Sequence, residues 1–550
     1  MLPTETKLRS GEIMKKIKHA LLAFVMLATS VSGVACKKQQ PQVYSKDIIP
    51  DYSAYTDQFD FYGYSSMYDG YYTIDDVKYY VGENFMTVEQ YEMYRDAGMT
   101  IMYPGSKLKI RGEDGNPDAD AVSREKFYAD RARDFEKAKI EIDKCVSVGL
   151  EKVELYDEDL SWLGLNNYTG EPLVGEGKRF ATNDDLDEYV YSLVSLYANY
   201  PGVHGITMAD EPKHLAVQSY GEVYNSILRV NEKYDFNIYP DFNLNPLNLT
   251  KLVYEEYYPH VEGTGSADSV TGRATFEDGM ARYQQYIRDF LDSMNPDVIQ
   301  YDDYPLRDGY LSQTYIPCLE FVAGEARDRG IDFHMVTQTF GMVTNGGNNM
   351  RKLTENGAKW LNNMLLGFGV SEISYFTYYT RPESKTDGES FLDNDSFVTL
   401  YGKPTYIYYM MQEIIANNQS FAPTILQFDY RKCGIFTKPP MSFNSEHIVN
   451  MPKNVQAYTK VKSVSVNKEC AMVNELYDAE NNRYMYMAMN IVDPDCLGSK
   501  SYQTITLQFS SEYNFALVYK DGKSSLYRLT SDKKLSVKGA PGDASFIIPF

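Results

Sequence analysis

The chain predicts an α/β fold, a (β/α)8 TIM barrel followed by a C-terminal antiparallel β-sandwich domain. Two observations carry this. Between residues 59 and 418 short apolar runs alternate with longer stretches of helical spacing, eight times over. After Phe421 the rhythm changes to alternating runs such as VQAYTKVKSVSV, RYMYMAMNIV, YQTITLQF and NFALVYK, separated by the turn sequences DAENN, GSKS and DGKS.

DFYGYSS (60–66) is the first strand, and Thr87 with Gln90 forms a capping box for the helix that Gly98 ends. TIMYP (100–104) is the second, followed by a helix over 123–149 that stops at Gly149. KVELYDEDL (152–160) is the third, and Asn183 caps the helix LDEYVYSLVSLYANY. VHGITMADEP (203–212) is the fourth strand, with a helix over 215–234, and FNIYPDFNLNP (236–246) is the fifth, with a helix over 275–294. VIQYDDYP (298–305), DFHMVTQTFG (332–341) and EISYFTYYTRP (372–382) complete the eight, with helices over 312–329, 351–368 and 403–418. The long loops at 105–122, 161–182, 246–274 and 382–402 all follow strands. They therefore open on the C-terminal face of the barrel, where barrel enzymes keep their sites.

From Met14, Lys15, Lys16 and Lys18 precede an apolar run from Ala20 to Ala28, and small residues lead to Cys36. This predicts a signal peptide over 1–36. A cysteine directly after Gly33-Val34-Ala35 resembles a bacterial lipoprotein signal, which implies lipidation at Cys36 and anchorage to the membrane of the bacterial cell envelope, facing outside the cytoplasm. A polar tether (37–54), the barrel (55–420) and the C-terminal domain (421–550) follow. No run of eighteen apolar residues occurs after Cys36.

The formal charge of -22 and the lack of a Lys/Arg cluster beyond the signal and tether exclude nucleic acid and polyanionic polysaccharides as expected partners. No HExxH, GxSxG or phosphate-cradling glycine loop is found, NGGNN (345–349) reads as a turn, and the histidines do not cluster. The expectation is therefore no metal, no nucleotide and no other cofactor. Five scattered cysteines follow Cys36, and a Cys433–Cys470 or Cys470–Cys496 bridge stays open. With 49 Tyr and 26 Phe against two Trp, the chain is rich in side chains that pack and hydrogen-bond at once, as carbohydrate sites do.

GITMADEPKHL (205–215) places Asp210 and Glu211 side by side where the fourth strand ends, and Pro212 stops the ladder. Adjacent like charges push one pKa up and leave a proton donor at neutral pH. A glycosidic bond needs such a donor, so Glu211 is the expected general acid. The structural alternative is a pair of acids complementing a helix N-terminus. YDDYP (301–305) repeats the arrangement with Asp302 and Asp303; alternation lets only one face the mouth, and Asp303, nearer the rim, is the expected one. A capping or loop-bracing role competes with it. Asp157, Asn243, Tyr301, Gln338 and Tyr378 are the expected sugar-binding groups, with Trp162 as a stacking platform or a residue packed under its loop.

The order NYPGVHGITMADEP, YPDFNLNP, QYDDYP, SYFTYYT and YGKPTYIYYMMQ resembles bacterial barrel glycoside hydrolases, including the family 42 β-galactosidases. That resemblance implies an acid/base Glu at the end of strand four, met by Glu211, and a nucleophilic Glu at the end of strand seven, where this chain has Gln338. The Asp-Glu pair is similar to that of the N-acetylhexosaminidases of families 20 and 123. This implies Asp210 orienting a substrate 2-acetamido group that acts as the nucleophile. The other repair draws the second carboxylate from Asp303 or Asp302. The expected function is hydrolysis of an O-glycosidic bond in a neutral oligo- or polysaccharide. A non-catalytic carbohydrate-binding surface lipoprotein is the competing class. If Cys36 carries the anchor, Cys36→Ser will shift the protein from the membrane fraction to the soluble fraction, or block its processing; fractionation and immunoblotting check this.

Overall fold

Strands of two to eight residues rich in Tyr, Val and Ile cannot cover their own backbone, and here eight of them close on one another. The computed structural model describes residues 49–64, 71–74, 77–80, 87–103, 107–108, 124–344, 349–380, 389–390, 396–399, 402–438, 458–468, 470–495 and 501–550. Barrel strands β1 (Asp60–Tyr64), β2 (Ile101–Met102), β3 (Lys152–Asp157), β4 (Val203–Asp210), β5 (Tyr239–Leu244), β6 (Val298–Asp302), β7 (Asp332–Gln338) and β8 (Glu372–Phe376) pair in parallel with their sequence neighbours. β8 pairs with β1, Asp60 opposite Glu372 and Tyr64 opposite Phe376, so the ring is closed. Helices α1 (Val88–Asp96), α2 (Arg124–Ser147), α3 (Asn183–Val194), α4 (Val217–Tyr234), α5 (Phe276–Met294), α6 (Tyr315–Arg329), α7 (Glu355–Gly367) and α8 (Tyr406–Ile425) follow the strands in turn. The fold is a (β/α)8 barrel with antiparallel C-terminal sheets, as the periodicity predicts.

Local chemistry sets the ends. Thr87 Oγ1 accepts from Gln90 N at the start of α1. At α3 the cap is Thr182, whose capping box with Asp185 displaces the expected Asn183 into the helix. The third strand is shorter than expected: Asp157 accepts from the backbone N–H of Asp159 and Leu160, so Glu158–Leu165 turns helical at once. The 246–274 loop contains a short helix, Lys251–Glu256. Cys36, Cys496, most of the 105–122 and 382–402 loops and residues 345–348 lie outside the described residues. Cys433 and Cys470 are free thiols, so the Cys433–Cys470 bridge is not formed.

The C-terminal sheets are six-stranded (Asp429–Thr437, Cys470–Asp478, Arg483–Asn490, Ala544–Pro549, Phe515–Lys520, Lys523–Arg528) and three-stranded (Val461–Val466, Gln503–Phe509, Lys534–Gly539). Val473, Ala488 and Ile547 meet Leu507 and Phe509 between the two sheets. The alternate residues Met472, Leu476, Met487 and Ile548 pack instead into the barrel's own core. The central strands of the larger sheet are thus buried on both faces, which fixes the sheet against α7, where Asn474 Nδ2 donates to Gly367 O (2.8 Å).

The barrel interior is polar below the mouth. Glu154 of β3, Asp241 of β5 and Glu372 of β8 are all buried, with Gln300 Nε2 donating to Asp241 (3.0 Å) and His334 Nδ1 3.4 Å from Glu372. Burial first, then the neighbouring acids, pushes Glu154 well above the carboxylate range and Glu372 up to about 8; burial and Glu372 push Asp241 up to about 7. Folded chains therefore hold protons that unfolded chains release near pH 4, and stability present at pH 4–5 is lost as pH rises towards 8. Thermal melts between pH 5 and 8 will show a falling midpoint, and Glu372→Gln will flatten that slope by up to about one proton, ~1.4 kcal/mol per pH unit.

Candidate active site

The chain turns at the end of β4 because three elements hold it there. β4 and β5 run in register from Gly205 opposite Tyr239, then shift between Thr207 and Ala209. That bulge brings Asp210 level with Asn243, so both point to the mouth. Asn243 Nδ2 donates to Asp210 Oδ1 (2.8 Å) and, more weakly, to Asp302 Oδ1 (3.3 Å). The next residue, Glu211, has φ +47°, a left-handed conformation that costs a non-glycine residue of order 1–3 kcal/mol and is kept only where neighbours over-determine it. Glu211 N–H donates to Asn243 O (2.9 Å), Tyr286 Oη donates to Pro212 O (2.7 Å), and His214 N–H donates to Tyr257 O (2.9 Å). Tyr286 Oη also accepts from Asn245 N (3.2 Å), so one phenol ties both strand ends.

Alternation along β6 decides between the two acids of YDDYP. Ile299 and Tyr301 are buried towards the helices, Tyr301 stacking on Phe333 at 6.0 Å, while Gln300 and Asp302 turn into the barrel. Asp302, 2% exposed, therefore meets the paired acids, and Asp303 does not. Burial, then the charges of Glu211 and Asp210, hold the Asp302 carboxyl well above its ordinary range. A hydrogen bond with Glu211 adds to that rise. Asp210 is exposed and Glu211 half-exposed, so both reach the open mouth while Asp302 lies buried beside them.

Tyrosines complete the rim. Tyr304 shares a hydrogen bond with Asp302, and its phenol is pushed up by burial and by Asp302, Glu211 and Asp210. Tyr64 feels burial and then Asp210. Tyr64 stacks with Tyr103 (6.1 Å) and lies 6.0 Å from Phe376, which lies 5.6 Å from Tyr304. The half-buried rings of Tyr64, Tyr103, Tyr304 and Phe376 form a continuous aromatic arc beside the acids. A polar group flanked by such rings is suited to a pyranose, whose C–H face packs on an aromatic ring while its hydroxyls bond to acids.

The remaining expected residues lie elsewhere. Asp157 is fully buried and salt-bridged to Arg131 (2.7 Å), with Tyr197 Oη donating to it (2.9 Å), so it braces α2 and α3 rather than the mouth. Trp162 is half-buried on the Glu158–Leu165 helix. Tyr378 is fully buried, edge-on to Tyr94 at 4.6 Å, because Gly63 leaves it room against α1. Gln338 Oε1 accepts from Leu306 N (3.0 Å), and its Nε2 donates to Leu306 O, Phe340 O and Arg351 O (3.3–3.4 Å), bracing two loops. Tyr64, Tyr103, Tyr304 and Tyr286 were not assigned to the site from sequence, and Asp302 stood there only as the alternative to Asp303. The signal for Asp302 was present: polar Gln300 and Asp302 alternate with apolar Ile299 and Tyr301. Among the described residues, no group of three His, Cys, Asp or Glu is placed to hold a metal ion.

No protein-family model matches the chain, and no curated protein matches it. Among solved structures, it resembles a β-galactosidase from the psychrophilic Marinomonas ef1 (14% identity, 62% of this chain and 58% of that one, TM-score 0.33). It also resembles a glycoside hydrolase family 5 protein from Bacteroides vulgatus (11%, 84% and 84%, 0.43) and an endo-1,4-β-D-mannanase from Thermotoga petrophila (14%, 65% and 99%, 0.36). The chain spans less than two thirds of the β-galactosidase's length. At these TM-scores the likenesses carry no argument; barrel closure rests on the strand register.

The turn itself is open to test. Tyr286→Phe removes the only hydroxyl of a fully buried ring and leaves Pro212 O and Asn245 N without that partner. Urea denaturation will register a loss of about 1–3 kcal/mol.

Proposed function

We propose that the protein is a glycoside hydrolase whose general acid is Glu211, acting on a neutral glycan outside the cytoplasm and held to the membrane through Cys36. The observation that carries this reading is the gathering of Asp210, Glu211 and the buried Asp302 at the open end of the barrel, with Asn243 bridging two of them. Asp302 is the buried reservoir. It passes its proton to Glu211, which reaches the leaving oxygen, and the negative charge left behind is spread over two carboxyls. Asp210, oriented by Asn243, supplies the negative charge that steadies an oxocarbenium-like transition state. The tyrosine arc seats the sugar ring.

Two spacings usually mark protein-supplied pairs, ~5–5.5 Å for retention and ~6.5–9.5 Å for inversion. Directly hydrogen-bonded carboxyls are closer than either, so Glu211 and Asp302 act as one donor rather than as opposed acid and base. With Gln338 bound to backbone groups, this favours a second reading within the same class: a 2-acetamido group of the substrate is the nucleophile and Asp210 orients it. A panel of aryl hexosides and aryl N-acetylhexosaminides separates the two. Cleavage of the N-acetyl sugars alone selects the second reading, and cleavage of plain hexosides rejects it.

Glu211→Gln is expected to lose about 10²–10⁴-fold in kcat on substrates with poor leaving groups, and much less on aryl glycosides with acidic leaving groups. Wild-type rates on a poor leaving group in this variant would refute the assignment.

A further inference from the structure

Asp303 points away from the acids, yet it does not simply vanish into the wall. It lines a cavity of about 510 Å³ between the loops that follow β5 and β6, walled by Asn248, Arg273, Arg307, Tyr310 and Ser312. That volume lies in the ~300–1,000 Å³ range of small-molecule sites. Asp303 is only 4% exposed, and its Oδ2 has no hydrogen-bond partner. The Asp303 side chain lines this cavity beside Arg307, whose charge opposes the effect of burial on its carboxyl, and it accepts a backbone hydrogen bond from Tyr304.

The mixture of groups narrows the ligand. Two guanidinium groups face one carboxyl here, so the wall offers hydrogen-bond donors and an acceptor together. A hydroxyl donates to a carboxylate while accepting from a guanidinium, so a polyol satisfies both at once. Tyr310, 37% exposed at the tip of the Leu306–Arg307 and Tyr310–Leu311 hairpin, offers an aromatic face of the kind that sugar rings pack on. We infer that this cavity is a second saccharide-binding site, distinct from the mouth, that holds a further unit of a glycan. Asp302 and Asp303 are consecutive, so the two sites stand back to back across the end of β6, and a chain passing over the rim joins them. The inference deepens the hydrolase reading and rests on the ligand being a glycan, but binding is read here without turnover.

The test is calorimetric titration of the full chain carrying Glu211→Gln with cellohexaose, mannohexaose, maltohexaose and chitohexaose. At least one is expected to bind, with affinity at least tenfold weaker when Asp303→Asn or Tyr310→Ala is added. Tyr310→Ala alters a surface side chain, so it remains informative if Asp303→Asn fails to fold. Overturning outcomes are no binding of any of the four, or binding that Tyr310→Ala leaves unchanged. Binding with the expected pattern, but no hydrolysis of any glycoside by the wild type, sinks the hydrolase reading alone.

Discussion

The close approach of Glu211 to the buried Asp302 is the constraint on which everything around it depends. Desolvation penalises the charge of the buried member most, and the neighbouring Glu211 and Asp210 add to that, so the Asp302 carboxyl is held well above its ordinary range. The surroundings act to keep the contact. Asn243 bridges Asp210 and Asp302 with one amide, and the bulge in β4 supplies the half-turn that puts Asp210 on the inner face. The left-handed conformation of Glu211 is local strain held by hydrogen bonds from three different elements.

Beneath this pair lies a second population of acids that has the opposite consequence. Glu154, Asp241 and Glu372 lie in the barrel interior, and burial raises the pKa of all three. A barrel interior is ordinarily filled by branched apolar side chains. Here neutral carboxyls, Gln300 and a His334 imidazole whose pKa burial lowers do that filling. Because burial disfavours charge in the lower layer, the exposed Asp210 and half-exposed Glu211 are the acids of the mouth that stand nearest solvent.

The barrel was legible in the sequence because period 3.6 and period 2 alternate eight times, and parallel strands buried on both faces read as short apolar runs. The strand-four acids were legible because Pro212 marks where the ladder ends. What could not be read was orientation. The β4 bulge breaks alternation without leaving a sequence mark, and Asp157 looks like a rim acid until Arg131, 26 residues away, is seen against it. Asp303 was preferred for its nearness to the rim, whereas the face it occupies is fixed by Tyr301 two residues earlier, which needs the apolar side. Tertiary partners of high sequence separation carried that information, and periodicity does not encode them.

The same logic explains why residue 338 is a glutamine. Its side chain meets one N–H and three carbonyl oxygens. An amide donates and accepts at once, whereas a carboxylate there would face three carbonyls with nothing to give. Arg351, whose carbonyl is one of the three, forms ion pairs through Nη1 with Asp493 (2.9 Å) and Asp495 (2.7 Å) of the C-terminal region. Arg351 and Asp493 are 10% and 5% exposed, so that pair is held away from solvent, whereas Asp495 is 41% exposed. A continuous path of polar contacts thus runs from the C-terminal sheets through Arg351 and Gln338 to Leu306, four residues beyond Asp302. The C-terminal domain carries none of the acids, but it steadies the loop that begins where the proton-holding strand ends. Gln338 belongs to that framework, and the acids gathered at the mouth are Asp210, Glu211 and Asp302.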